Sequence, residues 1–531
     1  MPDSLIDIVF EKLQREKKNG NPLVGHYDFS TAEPTKVIEA PYFRAEKMFP
    51  RVSDLIKNAK QEVLLCFFKF QYESDGAKEI IEALKCLKHK ADTEHRRVTV
   101  KFIINQKTGI AKYVRGDGRS SPINVKDLSA LSSEFFDVQI AYHEHRLFNS
   151  THAKMVVCDG KEAVFLTGDP TFKNAMDEKG PSWVEVATVC RSPAIAEGAR
   201  RQFISLWNSD HVRLVSSGQK VPFALATAHA VSTSPAMKTI LFLGKTPSAS
   251  PRVTFTSPYK IALLHLLEFA NKSVKILVNN INDRQILNKI LSCTARGVSV
   301  ELVMGRYHCE DLEKVPYAGG TNIDSVNYLL RHATSSQQKL LKLHWACEKD
   351  GDLVQNMAGD SVHAKVVIVD ERVVLTGSSL MDKQSSRSGE SDILFESKAL
   401  AKEYTNTVFT PVYKQARPVQ LSSKQLPLTR EDIRLLVREA NSIEQMKDIL
   451  NAYIYMREYE NKFTGLRSMV SLFCKQTAYD RASKIETAKK ILSEEGPVVL
   501  PIGREGLLGS IYAKYVEIAG DERGHRPGLE S

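Results

Sequence analysis

The eight cysteines are scattered through the 531 residues, and no two of them form a Cys-x-x-Cys pair. That absence excludes the common zinc and dithiol motifs. Cys66, Cys86, Cys158, Cys190, Cys293, Cys309, Cys347 and Cys474, several of them inside apolar runs, read as reduced thiols of a cytosolic protein. No apolar stretch approaches the roughly 18 residues a membrane-crossing helix needs. The opening MPDSLIDIVFEKLQREKKNG lacks the basic-then-apolar order of a secretion signal, so neither a membrane span nor Sec-type export is expected. Low-complexity tracts are missing too, and 42% hydrophobic with 26% charged residues is an ordinary globular balance.

What the chain has is length and positive charge. A chain of 531 residues exceeds what one hydrophobic core usually supports, so two large lobes plus an appendage are expected. The net charge of +10 favours an anionic partner, either nucleic acid or an acidic lipid surface, although it is diluted over many residues.

Internal repetition decides the architecture. A helical pattern over residues 52–58 leads through Ala59 into the apolar strand VLLCFF, residues 63–68. A second, over residues 261–269, leads through Ala270 into VKILV, residues 274–278. Each strand is followed by an amphipathic helix, around residues 80–87 and 286–291, and then by a strand, VTVKFII or VSVELVM. From Ala59 to His152 and from Ala270 to His363 the chain runs 93 residues, so the halves repeat at an offset of 211.

Strand, helix, strand in that order implies an α/β fold with right-handed crossovers and mostly parallel or mixed sheets. The predicted organisation is an N-terminal segment 1–40, a first lobe 41–215, a junction 216–250, a second lobe 251–415 and an all-helical C-terminal domain 416–531. Ser, Gly and Pro break the periodicity in the junction, though residues 239–243 have strand character. In the last segment Thr429 with Asp432, and Ser442 with Gln445, have capping-box spacing.

The chemistry lies in THAKMVVCDGKEAVFLTGD, residues 151–169, and VHAKVVIVDERVVLTGSS, residues 362–379. Both carry His-x-Lys-x-x-x-x-Asp on a strand, followed by a turn and a strand ending in Leu-Thr-Gly. Alternation places His152 and Lys154 on one face, and His363 and Lys365 likewise. A lysine facing inward from an apolar strand is costly to desolvate and points to an anion. One such spacing is a modest hint; two at equivalent places of a repeat are a strong one.

Phosphodiester cleavage through a covalent intermediate needs a nucleophile, a proton donor for the leaving alkoxide and positive charge around the non-bridging oxygens. Histidine fills the first two roles because its pKa lies near neutrality. Lys154 and Lys365 would hold the phosphoryl oxygens, so no metal or other cofactor is expected. Asp159 and Asp370 would accept a hydrogen bond from the far nitrogen of a histidine, with the pairing left open.

These motifs resemble the phospholipase D superfamily, whose members bring two His-Lys-Asp motifs together in a pseudo-twofold pair of α/β lobes. The likeness covers about residues 40–415. RSPAIAEGARRQFISLWN, residues 191–208, resembles the helix after the first motif in bacterial phosphatidyltransferases and phospholipases, and ARGVSVELVM, residues 295–304, resembles a strand common in them. The resemblance implies that His152 is the nucleophile forming a phosphohistidine and His363 the general acid. It also implies that Glu185 and Glu390 support the opposite histidines, with Gly168, Gly377 and Ser378 in the supporting turns. In place of the family's Gly-Ser-x-Asn the second copy reads Gly377, Ser378, Ser379, Leu380 and the first Gly168, Asp169, Pro170, so both asparagines are missing.

The expected function is therefore a phospholipase D-like enzyme that hydrolyses, or transfers to an alcohol, the phosphatidyl group of a phospholipid at a membrane surface. A nuclease of the same superfamily, acting on DNA or RNA, is the alternative that the positive charge suggests. A non-catalytic phosphate- or lipid-binding scaffold is the third. A monomer is expected, cytoplasmic or peripheral at membranes. The helical appendage resembles proteins that bacteria deliver into host cells as secreted effectors. His143 and His145, in the polar stretch AYHEHR, read as a solvated strand or loop rather than metal ligands, and RGDGR, residues 115–119, as a turn.

Overall fold

The computed structural model describes residues 4–107, 125–145, 150–172, 174, 176, 183–216, 237–247, 256–306, 320–347, 362–383, 385–419 and short pieces between 437 and 518. Residues Met1–Val419 form one compact unit and Gln420–Ser531 a second.

The first unit is built on two sheets, each carrying one motif. Eight described strands make the first, in spatial order Ile38–Phe43, Val186–Cys190, Glu162–Leu166, Met155–Cys158, Glu62–Phe67, Val98–Lys107, Phe136–His145 and Val212–Leu214. Nine make the second: His26–Ser30, Ile240–Lys245, Glu390–Glu396, Val373–Gly377, Val366–Val369, Ser273–Val278, Ser299–Met304, Leu341–Trp345 and Arg417–Pro418. Both are mixed, as the strand–helix–strand order predicts. Glu62–Phe67 is parallel to Val98–Lys107 and antiparallel to Met155–Cys158, and Ser273–Val278 makes the same pair of contacts with Ser299–Met304 and Val366–Val369.

The 211-residue offset holds down to single pairs. Val63 lies opposite Cys158 and Cys66 opposite Met155; Val274 lies opposite Val369 and Leu277 opposite Val366. The strand character read at residues 239–243 belongs to Ile240–Lys245, so part of the junction is sheet. Strand His26–Ser30, from the N-terminal segment, edges the second sheet beside it.

Alternation sorts the side chains to two faces. In Glu62–Phe67, Val63, Leu65 and Phe67 pack outward on Phe49 and Val52 of helix Ala45–Asn58 and Leu84 of helix Asp75–Thr93. Leu64 and Cys66 point the other way, into a core shared with Val366, Ile368 and Phe395 of the second sheet. Helix Asp75–Thr93 starts where Ser74 accepts a bond from Ala77 N, and helix Pro258–Phe269 where Ser257 does the same for Lys260 N. The helix read at residues 191–208 spans Pro193–Trp207 and packs on Glu162–Leu166 of the first sheet and on His26–Ser30 and Ile240–Lys245 of the second.

In the second unit residues 511–518 are helical. The two capping boxes, Thr429 with Asp432 and Ser442 with Gln445, fall outside the described residues.

Candidate active site

The two motifs meet along a seam between the sheets. Thr151 bridges Gly389, and Val184 bridges Val362, both in parallel. His152 N donates to Gly389 O (2.8 Å), while Ala364 N and His363 N donate to Val184 O (2.7 and 3.0 Å). Each histidine is thereby stitched to the opposite half of the repeat, one residue before a buried glutamate.

The carboxylates cross the seam accordingly. Glu390 Oε2 stands 3.1 Å from His152 Nδ1, and Glu185 Oε1 stands 2.7 Å from His363 Nδ1. Ser378 O, which can only accept, lies 3.1 Å from His152 Nδ1, so that nitrogen carries the proton and Nε2 keeps its lone pair. Ser378 Oγ donates to Glu390 Oε2 (2.6 Å), and Thr167 Oγ1 donates to Glu185 Oε2 (2.6 Å). Burial raises the Glu185 carboxyl above its ordinary range, with Lys365, Thr167 and Asn174 pulling back; burial pushes Glu390 up to about 7, against Lys154, Ser378, Lys245 and Ser385.

Gly168 makes room for Glu185, and Gly377 for Asp392. A Cβ on Gly168 would lie 2.3 Å from Glu185 Cδ. Gly377 has φ +151, and a Cβ there would lie 2.4 Å from Asp392 Oδ1.

Both motif lysines are buried. Lys154 Nζ donates to His152 O (2.8 Å), stands 3.6 Å from Asp169 Oδ2 and lies 5.5 Å from the Phe68 ring centre. Lys365 Nζ donates to Thr167 O (3.0 Å), across the seam, and lies 3.0 and 3.2 Å from the two ring nitrogens of His363. Burial lowers the Lys365 ammonium to about 7; Glu185 opposes this and the Lys154 charge adds to it. Burial, Lys154 and Lys365 together hold His152 well below the ordinary imidazole range, so it is neutral at pH 7. His152 thus feels the charge of both motif lysines, one from each half of the repeat. Phe68 stands edge-on to His152 (5.1 Å between ring centres), and Trp183 lies against His363 (4.9 Å).

The motif aspartates are elsewhere, a correction to the role read from the sequence. Asp159 accepts from the backbone N–H groups of Lys60, Gln61 and Glu62 at 2.7, 2.7 and 2.9 Å. Asp370 does the same for Asn271, Lys272 and Ser273. Six residues lie between each and its own histidine, about 20 Å of extended chain, and each carboxylate is taken up by three backbone N–H groups rather than an imidazole. Their left-handed φ values, +55 and +53, fit a turn-locking role that repeats at the 211-residue offset.

The missing asparagines are answered further along each loop. Asn174 donates to Asp169 O (2.7 Å) and reaches Glu185; Ser385 Oγ donates to Glu390 Oε1 (3.2 Å). The sequence reading also passed over Gln202, Lys245, Asp382 and Asp392, all buried around Glu390. The signal was there in Lys245 and Asp392, charged residues within the apolar strands ILFLGK and ESDILFE. His143 corrects another expectation: it is buried on strand Phe136–His145, its ring 6.2 Å from that of His211, rather than solvated. No group of three or more metal-ligating side chains gathers among the described residues. Residues 115–119 and the side chain of His145 lie outside them.

Residues 263–409 match the family model described as cardiolipin synthase, PLD-like domain. No curated protein matches the chain. Among solved structures, phosphatidylserine synthase from Haemophilus influenzae Rd KW20 aligns with a TM-score of 0.55 at 14% identity, covering 81% of this chain and 97% of that one. Polyphosphate kinase from Porphyromonas gingivalis aligns at 0.42 and 11% identity, over 73% and 51%. Nuc from Salmonella typhimurium, a phospholipase D family member, aligns at 0.24 and 19% identity, over 34% and 98%. Only the first of these scores reaches the level of a shared fold.

Proposed function

We propose that the chain, whose residues 263–409 match a PLD-like family model and whose fold aligns with that of a phosphatidylserine synthase, is a phospholipase D superfamily enzyme that hydrolyses, or transfers to an alcohol, the phosphatidyl group of a phospholipid. The observation that carries the reading is the crossed pair of Glu–His contacts with two buried lysines at one seam. The lipid assignment is supported by the descriptions of the matching family and of the phosphatidylserine synthase, 97% of which the alignment covers.

The reaction follows from the states of the groups. His152, neutral with Nε2 bare, attacks phosphorus in line, and a P–N bond forms as the P–O bond to the headgroup alcohol breaks. His363, whose Nδ1 is held 2.7 Å from Glu185 Oε1, gives its proton to the departing oxygen. Lys154 and Lys365 neutralise the non-bridging oxygens as charge builds on them. Water or an alcohol then attacks the phosphohistidine while His363 takes back a proton, and the P–N bond breaks.

Incubation with phosphatidylcholine, cardiolipin and plasmid DNA, beside a His152→Ala control, tests the assignment. Phosphatidic acid or choline released without nicking supports it. DNA nicking lost in the control would establish the nuclease reading that the net charge of +10 favours, and silence on every substrate would leave a phosphate-binding scaffold. Because the lysines supply the positive charge, activity is expected to survive EDTA; a loss restored only by a divalent ion would overturn the lysine clamp.

A further inference from the structure

Behind Glu390 lies a buried polar cluster that belongs to neither motif. Lys245, the last residue of strand Ile240–Lys245, sits opposite Glu390 in the sheet register. It is buried, and its Nζ donates to Ser385 O (2.6 Å). Ser385 is the hub of the turn that returns the chain to Glu390. Its N–H donates to Asp382 Oδ1 (2.7 Å), and its hydroxyl accepts from Leu380 N (2.9 Å) and donates to Glu390 Oε1 (3.2 Å).

From the other side Gln202 Nε2, on helix Pro193–Trp207, donates to Lys245 O (2.9 Å) and Glu390 O (2.7 Å). Three carboxyls face this one ammonium: Glu390 and Asp392 on strand Glu390–Glu396, and Asp382 on the turn. Tyr259 of helix Pro258–Phe269, Lys154 of the first half and Lys365 of the second also act on the cluster, and His152 Nδ1 stands 3.1 Å from Glu390 Oε2.

In the first half Arg44 occupies the corresponding edge, donating its backbone N–H to Glu185 O (2.9 Å), and its guanidinium lies 5.4 Å from the Phe43 ring centre.

We infer that Lys245 is a positioning residue for His152: its buried ammonium fixes the Ser385 turn and keeps Glu390 anionic behind the imidazole, committing this histidine to the bare-Nε2 form. The inference rests on His152 as the attacking group. The electrostatics agree in sign. Burial pushes Asp392 up to about 8 and Asp382 up to about 6, and it lowers Lys245 itself to about 8. Glu390 already stands at about 7 with the Lys245 charge pulling it down, so loss of that charge would raise it further and leave it protonated over more of the neutral range.

The test compares wild type with Lys245→Gln, which keeps a donor and removes the charge, and Lys245→Ala supplemented with ethylamine. Ring ¹⁵N shifts of His152, identified by subtraction of a His152→Gln spectrum, read the tautomer without any substrate. They remain readable if the lipid assignment fails. The expected result is a mixed tautomer in both variants, with cooperative melting retained. On whichever phosphodiester the wild type cleaves, kcat should fall about 10- to 100-fold with little change in KM. The acid limb should move up by about one pH unit, and ethylamine should restore part of the rate to the alanine variant. An unchanged His152 spectrum and pH profile in Lys245→Gln would overturn the inference, as would a loss of activity that tracks unfolding alone and ignores the amine.

Discussion

The supporting acids and the motif acids separate by what they touch, so neutral isosteres should sort them. Glu185→Gln or Glu390→Gln removes the anion from Nδ1 of the opposite histidine while conserving shape. Each is expected to lower kcat by about 10²- to 10⁴-fold with a small effect on KM, as when the acid of a catalytic triad is neutralised. Asp159→Asn and Asp370→Asn lose only part of a three-amide clamp far from the chemistry. They should cost about 1–3 kcal/mol in denaturant unfolding and leave kcat within about threefold. Lys365 offers a pH test at the same scale. Its ammonium, lowered to about 7 by burial, is present below that pH and lost above it. Dimethyl phosphate stays a monoanion throughout, so its inhibition constant should be lower at pH 6 than at pH 9. Equal inhibition at both would remove Lys365 from the phosphate site.

The elements were legible where a period or a repeat specified them, and obscure where a long-range partner did. Alternation and the 211-residue offset predict both motif strands, their neighbours and the mixed sheets, because a two-residue period determines which face is buried. The same alternation is silent about what lies across a seam. It gave no way to learn that Asp159 bonds backbone 97–99 residues earlier, or that Lys245 faces three acids. His143 was misread because a polar stretch looks solvated until its strand is seen between Val98–Lys107 and Val212–Leu214. The turn glycines show how an element reaches the chemistry. In Gly168→Ala the new methyl would have to displace Glu185 and, with it, the support of His363. Activity is therefore expected to drop toward that of Glu185→Gln, with a lower melting temperature as well; native kcat in the alanine variant would mean the loop shifts without moving the acid.

At the scale of the molecule neither repeat owns a complete site. His363 depends on Glu185 from the first half and His152 on Glu390 from the second, and the two sheets share one core through Leu64, Phe165, Val366 and Phe395. The second sheet also takes its first two strands, His26–Ser30 and Ile240–Lys245, from chain that precedes the second lobe. Cutting between the repeats should thus differ from cutting after them. A chain ending at Val419 keeps every described strand of both sheets and the described seam contacts, and it closes one compact unit. It is expected to melt cooperatively and to cleave a soluble diester at close to the full-length rate. Residues 251–419 alone would expose the inner face of strand Val366–Val369, leave Lys365 without Thr167 O and strip His363 of its carboxylate. That fragment should aggregate or melt without cooperativity and show no turnover above background. Activity from it, with His363 intact and Glu185 absent, would refute the crossed arrangement on which the chemistry depends.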